Sequence, residues 1–338
     1  MTPKAVFTTA RSARHQKDAM AVAPEGLEVA MLRSPERAEL EKALSAATYL
    51  VSERSGVVDE AMLAAAPDLR LILRLGELCH DIDLEAARRA GVMVCWQPQE
   101  GVLRVAEFTV LQMLALLRRL RESEDLLRQA GDGWVPRRTT DENRFAYNWT
   151  RRENLRGLHG LHIGILGLGE IGVALARRLA GWGVTLSYHR RSALPGPVEA
   201  ELGLTRREPD DLLAACDILV CLLPYSEQTA GWLNAARIAA MPRGALLVSV
   251  GSGGIIDEQA LAQALAAGEL AGAALDTFAV EPIEAANPLL ALAEQGANVL
   301  LTPHVAGGSP EDADATFAAM WDPVRDHMAG REPAGCIV

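Results

Sequence analysis

Glycine is the first residue type whose spacing in this sequence suggests chemistry. An apolar, β-prone run at 163–166 passes directly into Gly167-Leu168-Gly169-Glu170-Ile171-Gly172 and then into a helical pattern. In that order the first glycine permits a tight turn and the second lets the backbone approach a pyrophosphate. The third lets the helix pack closely on the strand, with the helix N-terminus aimed at the anion. The strand, turn and helix context makes this a dinucleotide-binding loop. The next strand ends in VTLSYHRRS, which puts Arg190 where an NAD-binding fold carries an acidic residue about twenty positions beyond the glycines. A carboxylate there bonds the ribose 2′-OH. Arg190, with Arg191 and Ser192, is suited instead to a 2′-phosphate, so the expected cofactor is NADP, with NAD the alternative.

A loop of this kind works only when an alternating scaffold holds it. Short β-rich runs at 5–8, 27–31, 48–52, 69–75 and 92–95 are interleaved with helical stretches such as 35–47 and 84–90, which implies a parallel sheet covered by helices. A second alternating series begins at LHIGILG and runs through VTLSYH, DILVCLL, ALLVSV and GAALDTF, with helices expected at 170–180, 210–215 and 258–267. Its strands are nearly continuous apolar runs, as in sheets buried on both faces. Between the two series, 102–129 reads as one long amphipathic helix, and the polar stretch after it, carrying Trp134, Tyr147 and Trp149, reads as a contact loop. The final stretch, 309–330, reads as a single helix that packs back on the first domain. The expected fold is α/β, with two Rossmann-like domains built on doubly wound parallel sheets and an active-site cleft between them. Residues 1–103 with 304–338 form a discontinuous substrate domain, and 104–303 form the dinucleotide-binding domain.

Three further segments follow the glycine loop: LLVSVGSGGIID at 246–257, ALDTFAVEP at 274–282 and LTPHVAG at 301–307. Together with the loop at 76–83 and Val105-Ala106-Glu107, they make the chain resemble the D-isomer-specific 2-hydroxyacid dehydrogenase family over nearly its whole length. That family includes glyoxylate/hydroxypyruvate reductases and formate and phosphite dehydrogenases. The resemblance implies an NAD(P)-dependent oxidoreductase that transfers hydride between C4 of the nicotinamide and a carbonyl or hydroxyl carbon of a small 2-hydroxyacid-like substrate. It places the acid/base role on His304 and the partner that holds its imidazole on Glu281. Hydride transfer to a carbonyl leaves an alkoxide that needs a proton from a group titrating near neutrality, and a paired carboxylate stabilises the imidazolium that supplies it. The resemblance also implies cofactor contacts at Leu223, Pro224, Thr229, Val250, Asp276 and His304, and substrate contacts at Leu75, Gly76, Glu77, Leu78, Ser252 and His304.

Two departures from the family pattern bear on the substrate. The family carries Asn-x-x-Arg-Gly-x-x-x-Asp after the strand LLVSV; here those positions are Ser249, Ser252, Gly253 and Asp257. Ser252 therefore stands where a catalytic arginine would bind the substrate carboxylate and carbonyl, a bidentate contact that a hydroxyl does not replace. The carboxylate loop, usually Gly-Val-Gly, is Gly76-Glu77-Leu78 here, followed by Cys79 and His80. Leu78 removes the second glycine, and Glu77 brings a negative charge. Three readings are open: a substrate without the usual 2-oxo-carboxylate, whose hydroxyl or amine meets Glu77 and His80; a replacement cation at Arg104; or a non-catalytic NADP-binding regulator resembling the family's corepressor relatives. The retained His304 and Glu281 favour the enzyme.

Bulk composition narrows the partners. With 33 Lys+Arg against 44 Asp+Glu the chain carries a net charge of −11 and has no long basic run, which argues against nucleic acid. All but three of the 33 basic residues are arginine. Five scattered cysteines without CxxC pairing predict neither a disulfide framework nor a metal site, and so a reduced, cytoplasmic chain. No apolar stretch has the length of a signal or membrane segment. The expected partners are a small-molecule substrate and, by the resemblance, a second copy of the chain joined through the cofactor domains.

Overall fold

The computed structural model describes residues 2–53, 56–97, 99–129, 135–145 and 147–338, without the side chains of 312 and 313. Trp134 of the expected contact loop lies outside them. The chain divides into two units, Met1–Leu103 with Gly307–Val338 and Arg104–Ala306. The second crossing falls three residues beyond the boundary expected from sequence, so His304 belongs to the second unit.

Unit 1 is built on β1 (Lys4–Thr9), β2 (Glu28–Arg33), β3 (Tyr49–Ser52), β4 (Leu71–Leu75) and β5 (Met93–Gln97). They form one parallel sheet in the order β2-β1-β3-β4-β5. Helices α1 (Ala13–Ala21), α2 (Arg37–Leu44), α3 (Glu60–Ala64) and α4 (Leu84–Arg89) connect the strands. Val6, Leu50, Ile72 and Val94 point into one core and Phe7, Val51, Leu73 and Cys95 into another, as the two-residue period of strands covered on both faces requires.

After β5 in the chain come α5 (Glu100–Leu117) and α6 (Leu120–Gln129). The single helix expected over 102–129 is therefore two. Arg119 adopts a left-handed φ of 47°, which ends the first helix, and its guanidinium pairs with Glu122 in the first turn of the second.

Unit 2 holds β6 (His162–Leu166), α7 (Glu170–Leu179), β7 (Thr185–His189), α8 (Gly196–Leu202), β8 (Leu204–Arg206), α9 (Pro209–Ala215), β9 (Ile218–Cys221), α10 (Ala235–Ala239), β10 (Leu246–Ser249), α11 (Glu258–Ala266), β11 (Gly272–Leu275), α12 (Pro288–Glu294) and β12 (Val299–Leu301). Its seven strands are parallel in the order β12-β11-β10-β9-β6-β7-β8. The winding reverses between β6 and β9, which makes the end of β6 the topological switch point where such sheets bind ligands.

The C-terminal segment returns to unit 1 as α13 (Pro310–Ala319) and α14 (Asp322–Met328), not as the one helix expected. Pro323, in the first turn of α14, cannot donate a backbone hydrogen bond and its ring excludes continuation of the preceding helix. The break buries Trp321 completely against Phe7, with ring centroids 5.6 Å apart, and its Nε1–H donates to Ala19 O at 2.9 Å. The last residues pair with the free edge of β5, and Cys95 and Cys336 are joined by a disulfide. Spacing alone predicted none, because the two cysteines are 241 positions apart and only the returning tail brings them together.

Candidate active site

The glycine loop at the end of β6 shows a separate physical reason for each glycine. Gly167 has φ +94°, and a Cβ there would lie 2.8 Å from Leu223 N, so the turn excludes any side chain. At Gly172 a Cβ would meet Leu168 Cδ1 at 2.8 Å and Ile165 Cγ2 at 3.3 Å; here helix and strand pack closest. Gly169 is the opposite case. It caps α7 with no side-chain bond, and a Cβ built on it meets nothing within 4 Å. That open space over a helix N-terminus fits a pyrophosphate. The loop is tied to β7 by N–H groups of Gly167 and Leu168 donating to His189 O at 3.0 and 3.3 Å. Leu168 is buried and contributes packing, while Glu170 and Ile171 are half-buried in the first turn of α7.

Arg190 is half-buried directly after β7, and Arg191 and Ser192 are exposed beside it. The neighbouring strand adds Arg206 and Arg207, which the sequence reading missed. Arg206 Nη2 lies 3.5 Å from Arg190 O and its Nη1 pairs with Glu208 at 2.8 Å, while Arg207 Nε donates to Ser187 Oγ at 3.1 Å. The three-residue strand β8 that carries Arg206 was too short to stand out from its loop.

The remaining strand ends of unit 2 form a continuous rim. Ser252 N–H donates to Leu223 O at 3.2 Å and Thr277 Oγ1 to Gly251 O at 2.8 Å, which joins the segments after β9, β10 and β11. Gly253 allows the closest approach of all, since a Cβ there would fall 1.8 Å from Phe278 O. Val250 is buried, Ser252 half-buried and Pro224 exposed. Thr229 spends its hydroxyl inside its own loop, donating to Pro224 O at 2.7 Å and accepting from Ser226 N at 2.7 Å.

At the end of this rim His304 sits in a left-handed conformation, φ 55°. Its Nδ1 lies 2.8 Å from Glu281 Oε2, and Phe278 N–H donates to Glu281 Oε1 at 3.0 Å. Partial burial pushes the Glu281 carboxyl up, but the hydrogen bonds from His304 and Phe278 outweigh it and hold the group below the ordinary carboxylate range. The His304 side chain is 62% exposed, and its Nε2 makes no hydrogen bond among the described residues. One nitrogen is thus held by a carboxylate while the other remains available for proton exchange. The Glu281–Pro282 peptide bond is cis.

Asp276 sets the loop that carries His304. It is 1% exposed, and Oδ1 accepts from Thr302 Oγ1 at 2.6 Å and from Val305 N at 3.0 Å, while Oδ2 accepts from Ala306 N at 2.9 Å. Its carboxylate is occupied by a hydroxyl just before the histidine and by two backbone N–H groups just after it.

The other sequence-designated residues lie in unit 1. Leu75 and Leu78 are buried, Gly76 turns at φ 123° with its N–H donating to Gln97 O at 2.9 Å, Glu77 is half-buried and His80 exposed. Leu78 fills the place of the usual glycine with core packing. The sequence reading also missed Arg74, a fully buried guanidinium whose Nη2 donates to Asp81 Oδ1 at 2.6 Å across the base of this loop. Its signal was one arginine in an otherwise apolar strand, LILRL. Cys79 is half-buried, whereas burial pushes the thiols of Cys216 and Cys221 up to about 12 and about 11, which leaves both inert as nucleophiles. Arg104 is half-buried in α5. Among the described residues no cluster of His, Cys, Asp and Glu could hold a metal ion, and no helix is long and apolar enough to cross a membrane.

Residues 110–306 match the family described as D-isomer specific 2-hydroxyacid dehydrogenase, NAD binding domain. The D-3-phosphoglycerate dehydrogenase of Mycobacterium leprae is 31% identical over 306 residues, which are 90% of this chain and 53% of that protein. The chain thus spans about half the length of the phosphoglycerate dehydrogenases it matches. A glyoxylate reductase of Aeropyrum pernix is 35% identical over 255 residues, 75% of this chain and 72% of that protein. Among solved structures, an NADPH-dependent glyoxylate/hydroxypyruvate reductase from Sinorhizobium meliloti in complex with NADP and malonate has a TM-score of 0.53 at 26% identity, with 100% of this chain and 97% of that one covered.

Proposed function

Because this chain belongs to the D-isomer-specific 2-hydroxyacid dehydrogenase family, we propose that it is an NADP-preferring oxidoreductase acting on the carbonyl or hydroxyl carbon of a small 2-hydroxyacid-like substrate. The observation that carries this reading is the His304–Glu281 pair on the same sheet edge as the glycine loop, with Nε2 of the imidazole available. When bound, the nicotinamide supplies or accepts the hydride at C4. His304 gives a proton from Nε2 to the substrate oxygen in reduction and takes it back in oxidation. Glu281 accepts the Nδ1–H, which fixes the ring's orientation and tautomer and stabilises the imidazolium. Asp276 holds the backbone around His304 and acts as a positioning residue. Gly167, Gly169 and the N-terminus of α7 would hold the pyrophosphate, and Arg190, Arg191 and Ser192 the 2′-phosphate. The absence of an acidic residue after β7 supports NADP over NAD.

A steady-state screen with NADPH against 2-oxo acids, aldehydes and ketones tests the assignment. Turnover that disappears in His304→Ala is the expected result. Absence of turnover with every class, together with tight NADPH binding, would move the protein to the regulator reading.

A homodimer joined through unit 2 fits the same picture. Leu111, Leu120 and Leu127 are each more than half exposed along α5 and α6, α6 buries no residue, and a recess of about 300 Å³ lies between these helices and β12. A soluble nicotinamide cofactor suits the cytoplasm, whereas the Cys95–Cys336 disulfide is a feature of oxidising compartments and argues the other way. Sedimentation of Leu120→Glu against the unaltered chain tests the dimer.

A further inference from the structure

Cysteine is a reactive residue type that the site described above leaves unused. Five are present, and the structure sorts them unevenly. Cys216 and Cys221 are buried in unit 2 and Cys79 is half-buried in unit 1, all three as free thiols, while Cys95 and Cys336, both in unit 1, are joined to each other. The two partners of that bond differ in their surroundings. Cys95 is 0% exposed on β5, packed in the core that holds Phe7, Val51, Leu73 and Trp321. Cys336 is exposed, on a segment that runs antiparallel to β5 along the edge that β4 leaves free.

Little besides the disulfide holds that segment. Trp96 N–H donates to Gly335 O at 2.9 Å, Val94 N–H to Val338 O at 3.4 Å and Ile337 N–H to Val94 O at 2.8 Å. Gly335 turns at φ 73°, and a Cβ there would fall 2.4 Å from Trp96 O, so this approach to β5 requires glycine. Residues 335–337 are nevertheless exposed, and Val338 is half-buried against the core of the sheet. Three backbone hydrogen bonds at a solvent-facing edge return less than the ordering of four residues costs, so the covalent bond is what keeps the segment in place. Exposed disulfides are the ones that exchange with thiols, and in a reducing compartment a disulfide is usually reversible rather than permanent.

We propose that Cys95–Cys336 is a thiol–disulfide exchange site whose reaction partner is a dithiol, and that reduction releases residues 335–338 from the edge of β5. A thiolate of the dithiol attacks Sγ of the exposed Cys336. The S–S bond breaks, and the Cys95 sulfur takes up a proton, the neutral form that its apolar surroundings favour. The second thiolate of the reductant then displaces Cys336 from the mixed disulfide, so the dithiol is oxidised to a disulfide and its two protons end on Cys95 and Cys336. The freed segment leaves the N–H groups of Val94 and Trp96 open to solvent. The exchange is independent of the substrate and cofactor reading. Its test uses the full chain, purified without reductant and kept in native buffer, with dithiothreitol as the dithiol. Samples are quenched in acid and alkylated in denaturant, and the added mass is counted; backbone amide exchange is followed in parallel. The untreated chain takes up three alkyl groups, at Cys79, Cys216 and Cys221, and the treated chain takes up all five. Exchange at the Trp96 amide rises about tenfold or more on treatment, while that at Leu73, on a strand paired at both edges, stays within about twofold. Cys336→Ser, which alters the exposed partner and spares the core, shows the fast Trp96 exchange without dithiothreitol and no further rise with it. Five alkyl groups on the untreated chain, three after native treatment, or Trp96 exchange within about twofold of the oxidised chain in the reduced chain or in Cys336→Ser, overturns the proposal.

Discussion

Asp276→Asn separates two roles for a buried carboxylate that the sequence places near the cofactor. Three donors converge on it: Thr302 Oγ1 at 2.6 Å, Val305 N at 3.0 Å and Ala306 N at 2.9 Å. An asparagine keeps the shape and one acceptor oxygen. Its least costly orientation leaves the oxygen facing Thr302 and Val305 and sets the amide NH2 against Ala306 N–H, so one buried donor loses its acceptor. That loss, and the removal of charge from the other two bonds, costs about 2 kcal/mol. For a unit of this size the thermal midpoint should fall by about 4–8 °C. The strained loop then holds His304 less precisely, and kcat should drop about tenfold to a hundredfold, because small displacements of an acid/base group are costly. The dissociation constant for NADPH should stay within about threefold, since the carboxylate is 1% exposed and already occupied. Differential scanning fluorimetry and NADPH fluorescence titration on the same preparation read both quantities. A variant with an unchanged midpoint and NADPH binding weakened tenfold or more would refute the reasoning and make Asp276 a direct cofactor contact.

Three other outcomes are expected. Arg190→Asp should weaken NADPH binding by tenfold or more and spare NADH, and equal affinity of the unaltered chain for the two cofactors would remove the NADP assignment. Ser252→Arg should bring a gain in kcat/KM on glyoxylate or hydroxypyruvate; without a gain, the serine is not what sets the substrate apart. Glu281 has a folded-state pKa below its unfolded value of about 4.3, so the stability it contributes is present above that pH and is lost as the pH falls through the lower, folded value. The pair is half-exposed, so the thermal deficit of Glu281→Gln should be small, persist down to about pH 5 and close towards pH 3; a deficit that widens in acid would contradict the ion pair.

Local rules made much of the molecule legible in advance. The alternation of apolar runs predicted two parallel sheets, and the glycine spacing announced the turn, where backbone conformation and close packing leave no choice of side chain at Gly167 and Gly172 and open space stands over Gly169. Helix ends were less legible. The break at Arg119 is a single left-handed residue stabilised by a side-chain pair, and β8, with Arg206, is too short to carry a period. Long-range pairings were not legible at all, such as Cys95 with Cys336 and Arg11 with Glu53 across two strand ends, and neither was the closure of one loop by Arg74 and Asp81.

The sequence alone determined which residues could act, because glycine spacing, an arginine in place of an acid, and a histidine and a glutamate in their segments are properties of residue type and order. Tertiary structure decided what surrounds each of them. It buried the Asp276 carboxylate under three donors, set Glu281 against one imidazole nitrogen and left the other available, and packed Leu78 into the core. The physical reason is that hydrogen-bond partners and burial depend on atoms brought from distant strand ends, and those distances exist only once the sheets have formed.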